Sequence, residues 1–197
     1  MKKLKFLYLM LAVIAGSIAF ASCNSDDEPD APVYVFNPDN AHYIGTTKTT
    51  ITMGLQDMLY TTDKTHWTIV IDRNTNKAKV TIHNAKFNDR MPAMSMMVLD
   101  NLTYNPQTDI VSGTDIIPRV LEGDSFTPYE DFPFDKITVT YGNTAHSSVN
   151  INFDVQVSMG GGSSATPPLP GMPGGNSLLG QGTFTGTGYV GPCADCN

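Results

Sequence analysis

The stretch that decides the fold is HWTIVIDRNTNKAKVTIH, residues 66–83. Apolar and polar side chains alternate on both sides of a polar segment centred on Asn74 and Thr75. A turn at that point pairs Asp72 with Lys77 across the two strands, so opposite charges meet. The other face then carries only apolar side chains: Trp67, Ile69, Ile71, Ala78, Val80 and Ile82. Because the pattern and the turn agree, we predict an antiparallel hairpin in this register, with His66 opposite His83.

Alternation with a period of two recurs along the chain, most regularly in VNINFDVQV at 149–157. Such alternation is typical of strands with one buried and one wet face. The predicted strands are 43–58, which can break near Gly54, then 66–72, 77–85, 95–104, 108–113, 136–141, 148–158 and 182–190. About eight short antiparallel strands indicate an all-β fold, either an up-and-down barrel or a two-sheet β-sandwich. A closed barrel of this size can hold one small ligand.

The first residues, MKKLKFLYLMLAVIAGSIAFASC, have the charged start and apolar run of a secretory signal, and the run is short for a membrane span. The ending FASC resembles the lipobox of bacterial lipoproteins, although Phe20 stands where Leu is usual. The resemblance implies a signal peptide at 1–22 and a diacylglycerol on Cys23. We expect 23–41 to be an acidic, extended tether that anchors the domain to a membrane.

The domain proper is expected at 42–190, followed by a C-terminal tail at 191–197. Three stretches, NAKFNDRMPAMSMMVLDNLTY (84–104), IVSGTDIIPRV (110–120) and GTFTGTGYV (182–190), resemble the calycin-like, or lipocalin-like, β-barrel lipoproteins of gram-negative gut bacteria, most of which are uncharacterised. This resemblance brings no catalytic or ligand residues with it. The acidic segment NSDDEPDAP (24–32) resembles the export tag of some lipoproteins of such bacteria, which implies a surface-exposed protein of the outer membrane. A glycine- and proline-rich insert at 159–176 departs from the family.

Four methionines lie within RMPAMSMMVLDN, residues 90–101. Thioethers are ligands for copper(I), but a site needs three that converge. In an extended segment, Met94 and Met96 share a face and Met97 points the other way. We therefore interpret the run as flexible apolar filling, with Met94 and Met96 lining the barrel interior.

Three further groups of residues are candidate sites. His66 and His83 lie close enough to chelate a metal, but zinc needs three or four ligands, so a solvated pair is predicted; His42 and His146 have no evident partners. Cys193 and Cys196 in CADC are expected to form a local disulfide or to remain two thiols, since no helix can follow them to lower a thiol pKa. The acidic stretch 122–135 matches no calcium loop. Its aromatic residues are expected to fold over a barrel end: Phe126, Tyr129, Phe132 and Phe134.

The chain has 12 basic and 19 acidic residues and a net charge of −7, which argues against nucleic acid as a partner. No nucleophile–base set or phosphate loop is present, so we expect neither an enzyme nor a bound metal or cofactor. The main hypothesis is a barrel that binds a small hydrophobic or amphipathic ligand. Its lumen would be lined by Trp67, Ile69, Ile71, Val80, Ile82, Met94 and Met96. The alternative is an interaction module that presents 122–135 and 159–176 to a protein or glycan partner.

Overall fold

A computed structural model describes residues 35–53, 55–89, 91–158 and 177–191. The expected signal peptide, the lipidation site Cys23, most of the tether, the insert at 159–176 and the pair Cys193 and Cys196 lie outside the described residues. Within the described part of the chain, no helix has the length and hydrophobicity of a bilayer-spanning segment.

The described residues contain ten strands, all paired in antiparallel fashion. They are β1 (Asn40–Met53), β2 (Gln56–Asp72), β3 (Lys77–Ala85), β4 (Met94–Asn105), β5 (Ile110–Ile116), β6 (Arg119–Glu122), β7 (Ser125–Pro128), β8 (Phe134–Tyr141), β9 (Ser148–Ser158) and β10 (Ser177–Tyr189).

Eight of these strands close into a barrel. Neighbours follow the order β3-β2-β1-β10-β9-β8-β5-β4, and β3 also pairs with β4, which joins the two ends of the sheet. The predicted up-and-down barrel is therefore confirmed, and the two-sheet alternative is wrong. The fold is compatible with a calycin-like barrel. The β6–β7 hairpin, which was not predicted, attaches to β4 outside this ring.

The β2–β3 hairpin forms in the predicted register, with His66 opposite His83 and Asp72 opposite Lys77. The Asp72 carboxylate holds the turn, because it accepts hydrogen bonds from the Asn74 amide at 3.0 Å and the Thr75 hydroxyl at 2.7 Å. These bonds lower the pKa of Asp72. Local chemistry thus specifies both the turn and the pairing.

Two ends of the barrel are distinguished by their connections. The turn end carries the turns 73–76, 106–109 and 142–147, and the loop end carries the loops 86–93 and 129–133.

Six aromatic side chains form a column through the interior, from Phe184 and Trp67 through Phe153 to rings near the loop end. The column consists of Trp67, Phe87, Phe132, Phe134, Phe153 and Phe184, each at most 2% exposed.

Candidate functional site

The five hairpin side chains predicted to line the lumen all face inward and lie in the core. Trp67, Ile69 and Val80 are 0% exposed, Ile82 1% and Ile71 5%. Trp67 stacks on Phe184 with ring centroids 5.0 Å apart and lies 5.9 Å from Phe153. At this level, side chains fill the barrel interior instead of surrounding open space. The proposed role of the five residues in ligand binding stays a prediction.

Two loops bring aromatic rings over the loop end. Phe87 follows β3 and Phe132 precedes β8, and their rings stack with centroids 4.9 Å apart. Phe87 also contacts Phe153, which continues the column inward, at 5.5 Å. The expected folding of the 122–135 aromatics over a barrel end is confirmed for Phe132, whereas Phe126 stays 38% exposed on the β6–β7 hairpin.

Part of the methionine run lies in the core, but only one of the two methionines predicted there does so. Met97 lies opposite Ile82 and is fully buried, and Met94 packs against the core. Met96 lies opposite His83, on the other face of β4. The prediction that Met96 lines the interior is therefore wrong, and Met97 occupies the core in its place. The interpretation of the run as apolar filling fits Met94 and Met97.

Two histidines, His42 and His83, lie at hydrogen-bonding distance from Thr68 on the outer wall. Its hydroxyl lies 2.8 Å from Nδ1 of His42 and 3.0 Å from Nε2 of His83, and the two rings are 6.4 Å apart. Since His83 is only 6% exposed, the prediction of a solvated pair with His66 is wrong for His83. Burial, with a smaller contribution from nearby His66, lowers the pKa of His42. The described residues contain no group of three or more potential ligands arranged to hold a metal ion.

A hydrogen-bonded network closes the turn end, and it gives His146 the partner that the sequence did not reveal. His146 is buried, and its Nε2 lies 2.6 Å from Oδ2 of Asp109. Asp109 also accepts a hydrogen bond from the Tyr104 hydroxyl at 2.9 Å. Arg73 donates to that hydroxyl at 2.9 Å and pairs with Asp39 just before β1. The network thus ties three turns to the start of the barrel.

Two tyrosines, one buried and one partly buried, complete this network. Tyr43 donates a hydrogen bond to the backbone oxygen of His146 at 2.8 Å, and the Tyr141 ring stacks on the His146 ring at 3.8 Å. Burial raises the pKa of both hydroxyls, with a smaller contribution from Asp109. Because the imidazole is enclosed by these contacts, the arrangement works as a structural plug.

The outer wall also holds an open cleft of about 690 Å³ between β4, β5, β6 and β8. We call it the wall cleft. β4 pairs with β5 at Thr103–Ser112 and with β6 at Val98–Arg119, but the chain between those points is longer on the β5–β6 side. Between these two pairings, residues 99–102 of β4 pair with neither β5 nor β6, and the cleft lies there. Polar side chains around it include Asp100, Asn101, Thr114, Asp115, Arg119 and Lys136.

Arg119 is held in place at the edge of this cleft. Its guanidinium group forms an ion pair with Asp100, in which Nε lies 2.9 Å from Oδ2. The same group lies over the ring of Phe126 from the β6–β7 hairpin, 5.6 Å from its centroid. The hairpin that the sequence patterns missed therefore positions a cleft residue.

No model of a known protein family matches the chain, and no curated protein matches it either. What the fold and the site define is a class: a closed, antiparallel β-barrel, compatible with a calycin-like binding fold, with an aromatic interior and a polar cleft in its outer wall.

Proposed function

We propose that this protein is a non-enzymatic, lipid-anchored binding protein of the outer membrane that faces the cell exterior. Its barrel is the scaffold, and a partner binds to the outer wall at the wall cleft and the β6–β7 hairpin. The lipid anchor at Cys23 and the outer-membrane address rest on the sequence of the first residues and on the family resemblance.

The proposal depends on one observation about the described residues: an open cleft lies on the outer wall, whereas the barrel interior is occupied by side chains. The five hairpin side chains expected to line a lumen are buried in the core, and the aromatic column occupies the interior beside them. The wall cleft, by contrast, is open and polar, and its volume falls within the range of small-molecule sites, about 300–1,000 Å³. Functional residues are commonly carried by segments that project from a rigid scaffold. Here the barrel is the scaffold, and the β6–β7 hairpin attached to β4 is such a segment.

The anchor and the binding surface need separate tests. Cys23→Ser should move the protein from the membrane fraction to the soluble fraction, and protease added to intact cells should degrade the native protein. For binding, a photo-crosslinking amino acid at Ile117, which is 51% exposed beside the cleft, is compared with the same group at Thr187 on β10. Crosslinks to one partner from position 117 and not from 187 support the proposal; equal or absent crosslinking at both positions contradicts it.

The second candidate is carriage of a small apolar or amphipathic molecule inside the barrel. Two buried threonine hydroxyls, those of Thr49 and Thr62, have no hydrogen-bond partner among the described residues, and a polar group on a ligand would satisfy them. Native mass spectrometry of protein purified from its host separates the two candidates. A co-purifying apolar or amphipathic molecule favours carriage, and the absence of any such molecule favours the outer-wall proposal.

A further inference from the structure

The wall cleft is balanced in charge although the protein is acidic. The chain has a net charge of −7, whereas the cleft is lined by two carboxylates, Asp100 and Asp115, and two cations, Arg119 and Lys136. Asp100 and Arg119 neutralise each other in their ion pair. A site with compensated charges gives little advantage to a ligand of either sign, so an uncharged ligand suits it.

The same lining offers both donors and acceptors of hydrogen bonds in a small space. Asn101 contributes an amide, Thr114 a hydroxyl, Asp100 an acceptor and Arg119 several donors. In the ion pair both contacts of Arg119 go to Oδ2 of Asp100, so Oδ1 takes no part in it. A ligand with hydroxyl groups matches such a mixed lining, since each hydroxyl donates one hydrogen bond and accepts others.

Apolar surface lies beside these polar groups. Ile116 is partly buried and Ile117 is 51% exposed, and both line the cleft. The C–H faces of a sugar ring can contact such side chains while its hydroxyl groups reach the polar wall.

Two residues on opposite walls adopt an unusual backbone conformation. Asn101 and Asp115 have positive φ angles of 60° and 54°. This conformation is uncommon outside glycine, and asparagine and aspartate adopt it more readily than other residues do. Both residues line the wall cleft, Asn101 from β4 and Asp115 from β5.

From these observations we propose that the wall cleft binds a neutral sugar unit. The proposal rests on the proposed binding role of the outer wall and names the chemical class of the ligand. Recognition comes from the Asp100–Arg119 pair, held by Phe126, together with the Asn101 amide and the Thr114 hydroxyl. Ile117 supplies the apolar contact.

The test is an NMR titration of the soluble mature chain with glucose, galactose, mannose and N-acetylglucosamine. Glucuronate and glucosamine serve as charged relatives. We expect at least one neutral sugar to shift the amide resonances of β4 and β5 around the cleft. Asp100→Asn should weaken its binding by about tenfold or more, because a hydrogen bond to a charged group is lost. Thr114→Val should weaken it by about fivefold, and the matched control Thr187→Val should leave it unchanged.

Three results would overturn the inference: no shift with any of the four neutral sugars, tighter binding of a charged relative, or equal affinity in Asp100→Asn, Thr114→Val and wild type. The proposed function is tested separately by the crosslinker at Ile117. A protein partner captured there without sugar binding would leave the binding role standing and remove the sugar. Failure of both experiments would remove both.

Discussion

Gly182 on β10 lies opposite Phe153 on β9, and this contact makes a sharp prediction about the core. A methyl group added at Gly182 would lie 2.0 Å from Cζ of Phe153, far inside van der Waals contact. The ring cannot simply move away, because Trp67, Phe87 and Phe134 surround it with centroids 5.5–5.9 Å from its own. We therefore expect Gly182→Ala to lower the free energy of unfolding by about 1–3 kcal/mol, the usual cost of overpacking.

Equilibrium urea unfolding, followed by the fluorescence of Trp67, measures this effect, since the chain has a single tryptophan and it is buried. In a Phe153→Leu background the added methyl group has room. There the same change should cost at least about 1 kcal/mol less than in wild type. The neighbouring Thr183→Ala, at an exposed position, is the control and should stay within about 0.5 kcal/mol of wild type. The packing described for the column would be refuted if Gly182→Ala unfolded at the same urea concentration as wild type. It would also be refuted if the substitution lowered the free energy of unfolding equally in the wild-type and Phe153→Leu backgrounds.

Three further predictions concern titration and the turn end. Tyr43 and Tyr141 have raised pKa values, so the stability they provide is complete below pH 10, about the pKa of unfolded tyrosine, and is lost as the pH rises above it. Absorbance of tyrosinate at alkaline pH should therefore show these two ionising only as the protein unfolds; earlier ionisation would contradict their burial. His42 has a lowered pKa, so the stability linked to its neutral form is present above about pH 6.5 and is lost as the pH falls below that. The free energy of unfolding should change less between pH 7 and pH 5 in His42→Asn than in wild type. An equal change in both proteins would show that His42 does not cause the pH dependence. Asp109→Ala should cost about 1–3 kcal/mol in urea unfolding, because the buried His146 loses its partner; a loss below about 0.5 kcal/mol would mean that the network adds little.

Local patterns were enough to predict much of the barrel wall. The register of β2 and β3 follows from alternation and from a turn that Asp72 stabilises, all within residues 66–83. β1 ends at Met53, close to the possible break at Gly54, but β2 runs from Gln56 to Asp72 and so includes residues 59–65, which were not predicted as a strand. In these places the interactions that decide the structure join residues close in sequence, so the sequence pattern contains them.

The candidate site could not be predicted in the same way. The wall cleft depends on a mismatch in length between β4 and the β5–β6 segment, and this mismatch exists only once both segments are paired. The β6–β7 hairpin lies partly in an acidic stretch whose short strands, Arg119–Glu122 and Ser125–Pro128, give alternation little room to show. Asp109 and His146 are distant in sequence, and no local pattern connects them. Alternation also could not decide that Met97, and not Met96, enters the core, because both faces of that run are apolar.

The ladder between β1 and β10 joins the first and last strands of the barrel. Until Ser177–Tyr189 has been synthesised, β1 and β9 each keep an edge without the neighbour that later covers it. Contacts between residues so far apart form late, because the chain must lose the entropy of a long loop before it gains them. The hydrophobic interior can therefore exclude water only after β10 has paired with both β1 and β9.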